Sequence, residues 1–87
     1  MENRPILNAE ETGKQIVNLR EKCGLSVRML ADRLGYENPQ LVYDWQKGRR
    51  IPSADNLVAL AHIFQVKVDD ILIVELIGSE EKRNGFE

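Results

Sequence analysis

The sequence predicts an all-α fold, a compact five-helix domain, and three observations predict it. Apolar residues recur at three- and four-residue spacing in successive short segments, the period of a helix with one buried face. Gly, Pro, Ser and Asn separate those segments at intervals that leave room only for short helices. With 87 residues, 43% apolar and 30% charged, the chain has the size and composition of one ordinary core. Global disorder is excluded, and a single domain is expected.

The first helix is expected to start near Thr12, because Thr12-Gly13-Lys14-Gln15 fits a capping box. Ile16, Leu19 and Cys23 follow at i, i+3 and i+7, and Gly24 closes the helix. Ser26 caps a second helix whose apolar positions Leu30, Ala31 and Leu34 share a face, and Gly35 stops it. Asn38 is the expected N-cap of a third helix, with Pro39 at the first helical position, where its missing N–H costs nothing. The buried side should be Leu41, Val42 and Trp45, leaving Gln40, Tyr43, Asp44 and Lys47 outward until Gly48 ends the helix. Ile51-Pro52 breaks the chain, Ser53 caps a fourth helix, and Leu57, Leu60, Ala61 and Phe64 form its apolar stripe. A short fifth helix over 69–72 closes the pattern, with Asp69 and Asp70 suited to its N-terminal dipole.

The ends allow two readings. Residues 4–8 and 73–77 are apolar or β-branched, and either pair as a two-stranded ribbon, within or between chains, or fray with a short helical extension. Residues 78–87 read as a mobile polar tail. The expected divisions are an extended N-terminal arm over 1–11, a helical domain over 12–73, and a C-terminal extension with its tail over 74–87.

Composition removes several functions. Cys23 is the single cysteine and His62 the single histidine, so no internal disulfide and no structural zinc site is expected, nor any other metal or cofactor. Cys23 reads as small core filler and His62 as a partly exposed helix residue. Apolar stretches such as 71–74 are far short of the ~20 residues that cross a bilayer, and the first five residues do not resemble a signal peptide. A cytoplasmic protein with no membrane partner is expected. No nucleophile paired with a base, Gly-rich phosphate loop or paired carboxylates stand out, so no enzyme is expected.

The formal charge of −2 hides a division along the chain. Residues 1–13 carry a net −2 (Arg4 against Glu2, Glu10 and Glu11), and residues 51–87 a net −4. Residues 14–50 carry a net +4, from Lys14, Arg20, Lys22, Arg28, Arg33, Lys47, Arg49 and Arg50 against Glu21, Asp32, Glu37 and Asp44. A polyanion would dock on that middle third.

Two short helices joined by a Gly-containing turn, with one helix before and two after, make a helix-turn-helix arrangement. The segments Gly24-Leu25-Ser26-Val27-Arg28-Met29-Leu30-Ala31-Asp32-Arg33-Leu34-Gly35, Val42-Tyr43-Asp44-Trp45-Gln46-Lys47-Gly48, Ile51-Pro52-Ser53-Ala54-Asp55-Asn56-Leu57 and Val68-Asp69-Asp70-Ile71-Leu72 carry a resemblance. In that order they resemble the phage repressor and Cro type, also called the xenobiotic-response-element family, over about residues 12–73. The resemblance implies a lambda-repressor-like five-helix domain that binds double-stranded DNA and regulates transcription, as a repressor. It also implies a homodimer that sets two recognition helices about one DNA turn, ~34 Å, apart. Two departures stand out. Where the family often has a Gln that touches phosphate and braces the recognition helix, this chain has Val27 with Arg28 beside it, and the turn after Gly35 is about one residue longer than the commonest pattern.

An α-helix fits the major groove, whose base edges amide side chains read in pairs. In the third helix Gln40 suits an adenine edge, Asn38 a base or a phosphate, and Tyr43 and Asp44 lie one turn further along. Asp44 would accept from cytosine. Lys47, Arg49 and Arg50 after the helix, with Arg28 opening the second one, are the expected phosphate contacts that set affinity and register. Trp45 lies on the inner face with Val42 and is expected in the core. Two other readings stay open: the antitoxin of a toxin–antitoxin pair, and a protein-interaction module of this fold without DNA binding, which the acidic total, Asp44 and Glu37 favour. The fifth helix and the 71–77 apolar run, in the C-terminal region, are the expected self-association patch.

Overall fold

A computed structural model describes residues 4–77, and the expected polar tail over 78–87 lies outside them. Four α-helices, one 3-10 turn and two strands follow in the order β1 (Arg4–Leu7), α1 (Ala9–Lys22), α2 (Val27–Leu34), α3 (Gln40–Gln46), α4 (Ala54–Phe64), the turn Val68–Asp70, and β2 (Val74–Ile77). No helix among the described residues is long and apolar enough to cross a membrane.

The core is drawn from every helix. Ile16 and Leu19 of α1, Leu30 and Ala31 of α2, Val42 and Trp45 of α3, and Leu60 and Phe64 of α4 are buried together with Leu25 and Ile71. Leu34, Leu41, Leu57 and Ala61 pack against them half-covered. Trp45 is only 1% exposed, so the inner side of α3 is fixed by the largest side chain of the core. The polar side of that helix is thereby held outward.

The expected fifth helix is a single 3-10 turn, so the described residues hold four α-helices. Ile71 and Leu72 both donate to the Val68 carbonyl, at 2.9 and 3.2 Å, but the next N–H, of Ile73, donates to the Thr12 hydroxyl at 2.9 Å. That diversion ends the helix before it can propagate, and the chain continues through β-branched Ile73 and Val74 into a strand. Asp70 caps the turn by accepting the Lys67 N–H at 3.0 Å.

The first helix starts three residues before the expected Thr12. Asn8 is the N-cap and accepts from the Glu11 N–H at 2.9 Å, with Glu10 and Glu11 in the first turn. Thr12 is 1% exposed and serves the C-terminal segment through Ile73. Gly13 is needed for close approach: a Cβ there would stand 2.7 Å from the Gln46 carbonyl oxygen and closer still to that of Trp45. Cys23, expected in the core, is exposed, because α1 ends at Lys22 and the backbone turns at Cys23 so that Leu25 enters the core instead.

The two ends pair as a ribbon within the chain. β1 and β2 are antiparallel, with Arg4 opposite Ile77, Pro5 opposite Leu76, Ile6 opposite Glu75 and Leu7 opposite Val74. The ribbon is stitched to α1 by the Asn8 N–H on the Ile73 carbonyl at 2.8 Å and by Asn8 Nδ2 on Glu75 Oε2 at 3.1 Å. Of the expected self-association patch, Ile71 is fully buried, whereas Val74 and Leu76 are 54% and 66% exposed. Pro5, Leu7, Val74 and Leu76 alternate onto one face of the ribbon, which is apolar throughout.

Candidate nucleic-acid interface

The α2–turn–α3 unit owes its geometry to local chemistry. Ser26 starts α2 by accepting the Met29 N–H at 3.0 Å, and Gly35 ends it at φ +86°, a left-handed conformation that a residue with a Cβ rarely adopts. The Tyr36 N–H then donates back to the Ala31 carbonyl at 2.9 Å. Asn56 Nδ2 of α4 donates to the Tyr36 hydroxyl at 3.0 Å, which anchors the turn to the rest of the domain. Arg28 Nη1 donates to the Glu37 carbonyl at 2.8 Å, tying the first turn of α2 to the approach to α3. Val27, which stands where a bracing Gln was expected, packs half-covered against the core.

The expected cap of α3 works one residue away from its anticipated place. Pro39 occupies the cap position at φ −79°, and α3 begins at Gln40, whose N–H donates to Asn38 Oδ1 at 2.8 Å. Asn38 thus spends its side-chain oxygen on the start of the helix. Val42 and Trp45 point inward, while Gln40 and Tyr43 are exposed. Asp44 sits between these faces with its side chain 18% exposed. One of its oxygens, Oδ1, accepts from Gln40 Nε2 at 3.0 Å and lies 3.6 Å from Arg49 Nη1.

The cations gather around the helix end. Gly48 turns the chain at φ +76°, after which the Arg49 N–H donates to the Asp44 carbonyl at 2.9 Å. Lys47, Arg49 and Arg50 are exposed, and among the described residues Lys47 and Arg50 form no ion pair. The structure therefore brings Gln40, Asp44 and Arg49 into one chain of contacts and joins Asn38 to Gln40. Arg28 instead holds the Glu37 carbonyl, one residue before Asn38.

Sequence reasoning missed what holds α3 from behind. Arg20, near the end of α1, donates from Nε to Gln46 Oε1 at 2.9 Å and from Nη1 to the Leu25 carbonyl at 2.7 Å. Its place four residues after Ile16 marked it as lying near the inner face, but nothing in the sequence marked Gln46 as its partner. Gly13 did carry a signal, since a glycine inside a helical run costs about 1 kcal/mol and usually repays that by close packing. No group of three or more His, Cys, Asp and Glu among the described residues could hold a metal ion.

The helix-turn-helix family model matches residues 16–71 of the chain. The restriction-modification controller protein C.AhdI from Aeromonas hydrophila has a similar structure, with a TM-score of 0.66 and 25% identity over 72% of this chain and 94% of that one. The clp gene regulator ClgR from C. glutamicum is similar at a TM-score of 0.66 and 24% identity, over 78% of this chain and 86% of that one. The DNA-binding domain of BldD gives a TM-score of 0.65 and 22% identity, over 76% and 94%. No curated protein matches the sequence significantly.

Proposed function

The chain belongs to the helix-turn-helix family of the Cro and phage-repressor type, a family of DNA-binding transcriptional regulators, and from that premise we propose that it lays α3 in the major groove of a specific duplex. The observation that carries this reading is the division of α3, with Val42 and Trp45 sunk in the core and Gln40 and Tyr43 exposed beside exposed Lys47, Arg49 and Arg50. Gln40 reads a base edge, with Tyr43 and Asn38 beside it, while Arg28, Lys47, Arg49 and Arg50 meet phosphates and set register. The neighbours described as a controller protein, a gene regulator and a DNA-binding domain support this reading. The protein acts as a cytoplasmic, non-catalytic repressor.

A single module of this size buries a modest area on DNA, so two copies on two half-sites are the effective unit. We infer that they associate through the terminal ribbon. An isolated two-stranded ribbon is marginal in water, and this one leaves Ile6, Leu7, Val74 and Leu76 between 39% and 66% exposed. Mass measured in solution tests this: the native chain should be a dimer and Leu76→Lys a monomer, and a native monomer at high concentration overturns the interface.

Selection of bound fragments from a pool of random duplexes tests the DNA reading. One recurrent motif is expected, and Gln40→Ala should relax it at one base pair by about 1–3 kcal/mol. Charge reversal of Arg49 and Arg50 should weaken all sequences alike. Binding that survives both changes intact would show that the assigned face is wrong.

A further inference from the structure

We propose that Asp44 is a positioning residue for the base-reading amide of Gln40, with Arg49 held beside it to offset its charge. The inference rests on the DNA-binding reading above and departs from the expectation that Asp44 itself accepts from cytosine. An ionised carboxylate can only accept hydrogen bonds. Gln40 must therefore turn its nitrogen, not its oxygen, toward Asp44, and Nε2 stands 3.0 Å from Oδ1. That contact removes the two-fold choice of amide orientation that an exposed glutamine otherwise has.

The fixed orientation has a chemical consequence. An amide nitrogen carries two hydrogens, and Asp44 occupies one of them. What remains is one N–H and the carbonyl oxygen, a donor beside an acceptor. Adenine offers the complement in the major groove, N7 as acceptor and the N6 amino group as donor, whereas guanine offers two acceptors. The backbone of the same residue is held too, because the Gln40 N–H donates to Asn38 Oδ1 at 2.8 Å. Gln40 is thus fixed at both ends before any duplex arrives, which lowers the ordering cost of binding.

Asp44 would otherwise oppose DNA, since a carboxylate near phosphates is repelled. Its side chain is only 18% exposed, and Arg49 Nη1 lies 3.6 Å from the same oxygen that Gln40 contacts. Arg49 is itself 60% exposed at its side chain and so remains open to a phosphate while it faces Asp44. The three residues form a relay in which the phosphate-side cation, the carboxylate and the reading amide hold one another.

The experiment uses four duplexes that differ only at the base pair relaxed by Gln40→Ala, bound by the full chain and by Asp44→Ala, Asp44→Asn and Arg49→Ala. The native protein should favour adenine there by about tenfold, the size of one bidentate pair. Asp44→Ala should cut that preference to about twofold while leaving the other positions of the motif and the helix content unchanged, since one orienting contact is lost and the reading amide remains. Asp44→Asn should keep only part of it, because the Asn amide can accept from the same N–H or, flipped, donate to the Gln40 oxygen, which restores the choice of orientation. Arg49→Ala should weaken all four duplexes alike. Undiminished adenine preference in Asp44→Ala overturns the assignment, as does loss of preference at a separate cytosine, which would make Asp44 a reader. A native chain that selects no sequence overturns the DNA-binding reading and this inference with it, whereas a selective native chain with an indifferent Asp44→Ala overturns the inference alone.

Discussion

Arg20 Nε donates to Gln46 Oε1 at 2.9 Å, and this bond joins the end of the first helix to the last residue of the third. The same guanidinium holds the Leu25 carbonyl through Nη1 at 2.7 Å, so one side chain spans α1, the start of the turn to α2, and α3. Its side chain is 14% exposed, and its nearest carboxylate, Glu21, is 4.0 Å away and open to water. Two neutral acceptors thus retain a mostly covered cation, through hydrogen bonds that are stronger than neutral ones. Arg20→Ala should lower stability by about 2 kcal/mol in denaturant unfolding, and Arg20→Lys should recover little, because an ammonium cannot reproduce the planar fork. A lysine variant as stable as the native chain would show that packing of the stem, not the two bonds, carries the effect.

Gly13→Ala sets two effects of opposite sign against each other. Alanine gains about 1 kcal/mol in helix propensity over glycine in a helix interior. Its methyl would stand 2.7 Å from the Gln46 carbonyl oxygen, and that oxygen belongs to a backbone anchored by Trp45. Backbone cannot swing aside as a side chain end can, so α1 and α3 must separate. Overpacking of this kind costs about 1–3 kcal/mol or more, and the net change should be a fall in melting temperature. A rise would mean that the two helices slide apart freely.

How much of this was legible follows from which interactions are local. The caps Ser26 and Ser53, the stops Gly24, Gly35 and Gly48, and the inward set Val42 and Trp45 rest on contacts within a few residues, and each stands where the sequence put it. The start of α1 was misplaced because two caps compete, and Asn8 prevails since Thr12 is taken by Ile73, sixty-one residues along the chain. The same remote bond ends the final turn after one cycle, so a single long-range contact accounts for both errors. Of the candidate interface, exposure of Gln40 and the cations was readable from period and charge. Its internal wiring was not, because neither the Gln40–Asp44 bond nor the Arg20–Gln46 latch alters the apolar pattern.

Thr12→Val tests that long-range contact directly. The change keeps the shape of the side chain and removes the hydroxyl that accepts the Ile73 N–H at 2.9 Å. A partly covered N–H left without a partner costs about 1–3 kcal/mol. The loss should fall on the ribbon before the helices, since β2 follows Ile73 directly and holds to α1 through Asn8. Amide hydrogen exchange should quicken in 4–7 and 74–77 while α3 and α4 stay protected, and equal quickening everywhere would mean that the ribbon and the helical core unfold as one.

Lys47 and Arg50 separate affinity from specificity. Both are exposed, and among the described residues neither is paired with a carboxylate, so their charge is free for a duplex. Each phosphate that a cation neutralises releases condensed counterions, and the logarithm of affinity falls by about 0.9 per decade of salt for each. Lys47→Ala with Arg50→Ala should therefore flatten the salt dependence by about 1.8 in slope per bound chain, twice the single-contact value, and leave the selected motif unchanged. Arg49 should behave differently, because its guanidinium already faces Asp44 at 3.6 Å and its removal also exposes that carboxylate to the phosphates. Its alanine variant should bind more weakly at every salt concentration than either single variant of the other two. Equal effects from all three would make Arg49 an ordinary phosphate contact, with its pairing to Asp44 broken in the bound state.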